Sequence, residues 1–266
     1  MSIGWALSYS MSDQDLVAPR VEVVAAAESY RDRAAELTQS LNGETGEIQS
    51  PCRYRLVVDS QLSIIETNGR RSTTVFIDFD SAAVRRRVKA GTTDLLVRAC
   101  GLHKQSHSVT SVIDATAGLG IDTWILAAQG VEVFAFERDP LVGVLLDDAL
   151  SRARKTGLSP ASLISLQCID ARASLLPFAA DVVYLDPMFS KGPRKAASGK
   201  GMHFLQDWLG EQFESEDQEA LFWWARRVSR QRTVVKRGLK APLMAGVTPT
   251  FQISGKTHRF DVYQQG

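Results

Sequence analysis

The chain has 266 residues, enough to bury a full hydrophobic core and to carry a small domain beside a larger one. Its 31 Lys and Arg against 30 Asp and Glu give a formal charge of +1, so no global basicity announces nucleic acid. Cys52, Cys100 and Cys168 lack metal-ligand spacing, which with four scattered histidines argues against a zinc site and for thiols in a reducing compartment.

In chain order, "IGWALSYS" reads as a strand and Val21 to Leu37 as a helix rich in Ala and Glu. "YRLVVDSQLSIIETNG" reads as two strands linked near Asp59 and Ser60, and "TTVFIDFD", Thr73 to Asp80, as a third by its β-branched and aromatic content. Residues 1–85 are therefore expected to form a small N-terminal α+β domain, with a larger α/β domain over 86–266. In the larger part, strands "SVIDATAG", "VEVFAFE", "SLISLQC", "VVYLD" and "RTVVKR" alternate with helices at "DLLVRACGL", "IDTWILAAQG", Pro140 to Lys155 and Gln218 to Arg230. Such alternation predicts a mostly parallel sheet with helices on both faces. "TFQIS" and "HRFDVYQ" suit a terminal hairpin. No signal-peptide pattern opens the sequence and no apolar run reaches membrane length, so a cytoplasmic protein is expected.

Chemistry concentrates where strands end. "DATAGLGIDT", Asp114 to Thr123, leaves a strand through Gly118 and Gly120, which let the backbone turn tightly and approach a ligand. The spacing is neither a dinucleotide fingerprint nor a P-loop, and small residues here also serve close helix packing. Glu137, at the end of the next strand, can accept both ribose hydroxyls of an adenosine ligand, with Arg138 beside the adenine or facing solvent. Asp170, Ala171, Arg172 and Ala173 follow the third strand, suited to an adenine edge. After the fourth, "DPMF" places the Asp186 carboxylate and Pro187 carbonyl as acceptors for an exocyclic amine, with Met188 and Phe189 following and Phe189 able to stack on a base. "SKGPRKAASGK" adds Lys191, Arg194, Lys195 and Lys200 without an acid and reads as a phosphate-binding lid or a solvated loop. Leu221 to Phe260 holds no acid but many cations. Among these, Lys236 and Arg237 are expected to contact substrate, while Arg259 and His258 suit an RNA-facing or a structural role equally.

This order of signals resembles the class I S-adenosylmethionine-dependent methyltransferases, and "DPMF" resembles the Asp/Asn-Pro-Pro-Tyr/Phe tetrad of amino methyltransferases, with Met188 for the second proline. "VIDATAGLGIDTWILAAQGVEVFAFERDP", "LLDDAL", "VVYLDPMF", "VVKR" and "KTHRFDVY" together resemble the ribosomal RNA small subunit methyltransferase J family. The resemblance implies a Rossmann-like fold with a seven-stranded, mostly parallel sheet and S-adenosylmethionine as cofactor. It further implies methylation of a guanine N2 near the 3′ end of small-subunit ribosomal RNA, with the 30S subunit as partner and neither metal nor membrane. In class I enzymes the strand end corresponding to Asp114 to Gly120 cradles the methionine portion. Carried over residue by residue, the family's cofactor contacts fall on Ile121, Asp122, Glu137, Arg138, Arg172, Ala173 and Asp186, Asp122 being alternatively a helix cap. Three positions depart from the family pattern: Arg85 stands for a histidine, residues 90–94 for a glycine-rich tract, and Ser190 for a proline. The competing functions are an amino methyltransferase for another RNA, DNA or protein amide, and an inactive RNA-binding or assembly protein.

Overall fold

The computed structural model describes residues 21–42, 52–103, 109–174, 179–187, 199–209 and 215–266; the strand expected at "IGWALSYS" lies outside them. Strand β1 (Val21–Ala25) leads to helix α1 (Arg31–Asn42), then β2 (Tyr54–Val58), β3 (Ser63–Asn68) and β4 (Arg71–Val75). These strands form a four-stranded sheet in that order, β1 parallel to β2 and the others antiparallel.

Two expectations change here. The helix expected over Val21 to Leu37 is a strand followed by a helix, because Val21, Val23 and Val24 pair with Tyr54, Leu56 and Val57 of β2. The strand expected over Thr73 to Asp80 ends at Val75, which pairs with Ile64 one residue inside the start of β3, so the partner strand runs out. Beyond it, buried Phe79 stacks flat on Trp124 with ring centroids 4.3 Å apart.

Helices α2 (Ala82–Ala90) and α3 (Leu95–Ala99) then lead into β5 (Ser111–Asp114), α4 (Ile121–Ala127), β6 (Glu132–Phe136), α5 (Pro140–Lys155), β7 (Ile164–Gln167) and β8 (Ala180–Leu185). After α6 (Lys200–Leu209) and α7 (Ser215–Val228) come β9 (Ser229–Gly238), β10 (Phe251–Ser254) and β11 (His258–Gln264). The second sheet has seven strands in the order β10-β11-β9-β8-β5-β6-β7. Pairing is parallel from β9 through β7, while β11 runs antiparallel to both β9 and β10. From β5 the chain winds outward through β6 and β7, then returns to place β8 on β5's other side. The β5/β8 boundary is thus the point where winding reverses, and ligands of open α/β sheets bind at the carboxyl ends there.

The central strands are buried on both faces, and alternate residues feed two cores. Val112, Val182, Tyr184 and Val234 join a large core that also holds Tyr54, Leu56, Ile64 and Val75 of the N-terminal sheet. Ile113, Val183, Leu185 and Val235 face a smaller one with Phe222 and Ala225 of α7. The N-terminal strands and the α/β part therefore share one continuous apolar interior, and the division expected at residue 85 falls inside α2. Arg152 donates across the same junction to the Ile77 carbonyl at 2.8 Å. Among the described residues no helix is long and apolar enough to cross a membrane, and no group of His, Cys, Asp and Glu is placed to hold a metal.

Candidate active site

The carboxyl ends of β5, β6 and β8 and the segment after β7 line one open cleft. Its wall is built first by the turn after β5. Gly118 adopts φ +55°, and an added Cβ there would meet only Leu205 and the Thr116 carbonyl, at 3.6 and 4.0 Å. The Gly118 N–H donates to Glu137 Oε2 at 2.8 Å, tying the turn to the end of β6. Glu137 Oε1 accepts from the Asp139 N–H at the same distance. Burial pushes the Glu137 carboxyl up to about 7, against these two backbone bonds. Each carboxylate oxygen has room for a second donor, so the group retains capacity for hydroxyls.

The opposite rim is ionic. Asp170 accepts the Arg172 N–H at 2.8 Å, capping a turn at Ala171–Ala173. The Arg172 guanidinium bridges Asp170 Oδ2 and Asp217 Oδ1, both at 2.6 Å, and Arg138 donates to Asp217 Oδ2 at 2.6 Å. Asp217 of α7 thus gathers both arginines at the cleft. Sequence reading missed it because nothing near Ser215–Val228 marks one acid of that helix as inward-facing. Phe136, Ala171, Leu205, Leu209 and Leu221 supply the apolar lining.

Other expected cofactor residues lie around the cleft rather than on its wall. Asp114 is 1% exposed beneath the turn, where it accepts from Thr123 Oγ1 at 2.6 Å and the Thr116 N–H at 3.2 Å. Gly120 takes φ +73° at the start of α4, a left-handed conformation that favours glycine, and a Cβ there would press on the Leu146 side chain. Ile121 packs against the large core and Ala173 is exposed. Asp122 accepts from Arg87 at 2.6 Å, Tyr184 Oη at 2.7 Å and Lys236 Nζ at 3.0 Å. Burial alone would raise its pKa, but Lys236 and Arg87 hold it well below the usual carboxylate range.

At the β8 end, Asp186 and Pro187 line the cleft. The Asp186 N–H donates to Thr116 Oγ1 at 2.7 Å, fixing the strand end to the glycine turn, and Asp186 Oδ2 accepts from Lys236 Nζ at 2.7 Å. Met188, Phe189, Lys191, Arg194 and Lys195 lie outside the described residues. Arg237, expected to contact substrate, and Arg259, open between an RNA-facing and a structural role, are only 4% and 6% exposed. Arg237 donates to the Pro242 carbonyl, and Arg259 forks onto Asp261 while donating to the carbonyls of Gly238, Leu239 and Ala241. Both tie strand ends to the following loop. The departures at Arg85 and 90–94 are also accommodated: Arg85 pairs with Asp80 on the surface, Gly91 ends α2 at φ +49°, and Asp94 caps α3 and accepts from Arg87.

The family model described as "Putative SAM-dependent methyltransferase" matches residues 44–265. Ribosomal RNA small subunit methyltransferase J of Hahella chejuensis is 36% identical over 209 residues, 77% of this chain and 78% of that protein. The chain belongs to the ribosomal RNA small subunit methyltransferase J family. The Pseudomonas paraeruginosa family member is 32% identical over 257 residues, covering 94% of this chain and 96% of its own. A crystal structure of a SAM-dependent methyltransferase from Neisseria gonorrhoeae superposes with a TM-score of 0.67 at 29% identity, covering 92% of this chain and 95% of that one. As a member of this family the protein uses S-adenosylmethionine. The cleft fits that cofactor: a buried carboxylate with spare acceptor capacity ends β6, Ala171 and Leu221 give it apolar lining beside Asp170 and Asp217, and Gly118 turns the backbone along its wall at φ +55°.

Proposed function

We propose that the protein transfers a methyl group from S-adenosylmethionine to the exocyclic N2 of a guanine near the 3′ end of 16S ribosomal RNA, acting in the cytoplasm on the 30S subunit. The observation that carries this reading is the position of Asp186-Pro187, which leave β8 at the winding-reversal point and line the same cleft as Glu137 and Gly118. The cofactor supplies an electrophilic methyl on a sulfonium. With the cofactor bound, guanine N2 would take the methyl as the C–S electron pair returns to sulfur, and the surplus N2 proton would pass to water. Because the N2 lone pair is delocalised into the ring, orientation is the main requirement. Asp186 accepts from N2–H and stabilises the positive charge that develops there, the Pro187 carbonyl offers a second acceptor, and Phe189 stacks on the base. Glu137 holds the ribose hydroxyls, with Arg138, Asp170 and Arg172 around the adenine end. The base reaches the cleft flipped out, at least cost from an unpaired loop.

The test is incubation of small subunits lacking this methyl group with labelled cofactor, followed by nucleoside digestion and mass spectrometry. N2-methylguanosine at one site in the 3′ region is expected. Asp186→Ala lowers the rate on the order of 100-fold, about 3 kcal/mol, for one lost charged acceptor. A different methylated nucleoside overturns the substrate; full activity in Asp186→Ala overturns the role of Asp186.

A further inference from the structure

We propose that Lys236 is a positioning residue that holds Asp186 as a fixed, ionised acceptor for the substrate amine, and that Asp122 with Arg87 sets where Lys236 stands. This rests on the role given to Asp186 above. Strand register supplies the geometry: Tyr184 pairs with Val234 and Leu185 with Val235, so the next residues along β8 and β9 are Asp186 and Lys236. Lys236 Nζ stands 2.7 Å from Asp186 Oδ2 and 3.0 Å from Asp122 Oδ2. Two of its three donors are thereby spent inside the protein, which distinguishes it from a lysine left to meet RNA phosphate. Asp122 is anchored independently by Arg87 and by the Tyr184 hydroxyl, and Arg87 is anchored in turn by Asp94. Four elements, α2, α4, β8 and β9, thus converge on one ammonium.

The charges facing Asp186 explain what the ammonium does. Burial pushes the Asp186 carboxyl above its ordinary value, Asp122 from α4 adding to the shift, while Lys236 from β9 and, more weakly, His258 from β11 oppose it; Asp114 of β5 is a further like charge coupled to Asp186. Arg87 from α2 compensates Asp122, and Tyr184 donates to Asp122. His258 is itself held below its ordinary value by burial and by Lys236, so it is largely neutral at pH 7 and Lys236 is the principal counter-charge. A carboxyl that gains a proton becomes a donor on one oxygen and a weaker acceptor, which misorients the amine. Removing Lys236 therefore makes the ionised acceptor available only at higher pH. Removing the charge of Asp122 does the opposite.

The experiment is the pH profile of kcat for methyl transfer to unmethylated 30S subunits in the wild type, Lys236→Met, Lys236→Arg and Asp122→Asn, with cofactor affinity by calorimetry. Lys236→Met is expected to move the acidic limb up by about one pH unit or more, lowering kcat roughly tenfold at pH values on that limb and recovering toward wild type on the plateau above it. Lys236→Arg restores the limb and Asp122→Asn moves it down, with cofactor affinity of the Lys236 variants within about threefold of wild type. Opposite shifts from two neighbours are not what simple loosening of the fold produces, and Lys236→Gln repeats the decisive test if Lys236→Met does not fold. A uniform loss with the limb unmoved, a shift of the same sign in both variants, or a KM increase alone overturns the proposal. Asp186→Asn separates the two readings: if it keeps wild-type activity the role of Asp186 falls, whereas if it is impaired and Lys236→Met leaves the limb in place, only Lys236's role falls.

Discussion

Asp114 and Glu137 are nearly inaccessible carboxyls beside the cleft, and burial pushes each up to about 7. Unfolded, they titrate near 4, so between about pH 4 and 7 the folded protein holds protons that the unfolded chain has released. Stability then falls as pH rises through that window and levels off above it, the opposite of the usual paired carboxylate. Asp170 and Asp181, held below the usual range against their burial by Arg172 and by Thr110 and Ser111 respectively, act in the acid region below it. We predict that urea unfolding shows a decrease on the order of 1–3 kcal/mol from pH 5 to pH 8, and that Asp114→Asn reduces it by about half, Glu137 supplying the rest. An unchanged slope in the variant sinks the assignment to Asp114. At Glu137 the same burial sets up a functional prediction: Glu137→Lys removes an acceptor from the cleft and the anchor for the Gly118 N–H. Calorimetry should show at least tenfold weaker S-adenosylmethionine binding, since a lost bond to a charged group is worth about 1.5–3 kcal/mol.

Helix α6 joins the two sheets at the cleft. Its Trp208 packs edge-on against Tyr54 of β2 with centroids 5.0 Å apart and donates through Nε1 to Asp139 Oδ2, at the cap of α5, at 3.0 Å. Arg53 reaches Asp207 of the same helix at 2.9 Å, while Leu205 and Leu209 line the cleft. We predict that Trp208→Ala costs about 3–5 kcal/mol in urea unfolding and also weakens cofactor binding, because the helix carrying two lining residues loses its dock. Stability loss with unchanged cofactor affinity separates the helix from the site. This helix was not legible in the sequence: Phe204, Leu205, Trp208 and Leu209 have helical spacing, but they follow a basic, glycine-bearing stretch that reads as loop. Elements with their own punctuation were legible, such as α5, where Asp139 caps and Pro140 opens the first turn. The strand ends carrying Gly118, Glu137 and Asp186 were legible because strand–helix alternation fixes which ends share a sheet edge. Pairings across the fold were not, since Lys236 with Asp186 depends on the β8–β9 register and Asp217 with two arginines on the facing of α7.

Across the whole molecule, the acid-free run Leu221 to Phe260 yields much less positive surface than its composition suggests. Arg237 and Arg259 are buried, Lys236 is paired to two carboxylates, Arg226 donates to the Tyr263 and Gln264 carbonyls, and Arg232 donates to the Ala99 carbonyl. Arg227, Arg230, Lys240 and Lys256 are the cations of that run left exposed, and Arg230 stands 3.9 Å from Asp181. A near-neutral protein that binds RNA needs its phosphate contacts concentrated near the reacting base. Lys191, Arg194 and Lys195 follow the Asp186-Pro187 pair within nine residues and have no acid among them. We predict that replacing these three by serine lowers affinity for a 3′-region 16S fragment and for 30S subunits, and shallows the dependence of log affinity on log salt by about 2, at roughly 0.7 per single-strand phosphate contact. Cofactor affinity stays unchanged. Replacing Arg227 and Lys240 instead, away from the tetrad in sequence, leaves the slope near wild type. Filter binding from 50 to 300 mM salt measures both. If the triple variant keeps the wild-type slope on both RNA substrates, the phosphates are met elsewhere; if the Arg227 and Lys240 variant shallows it equally, contact is spread over the exposed cations of the terminal region rather than gathered after β8.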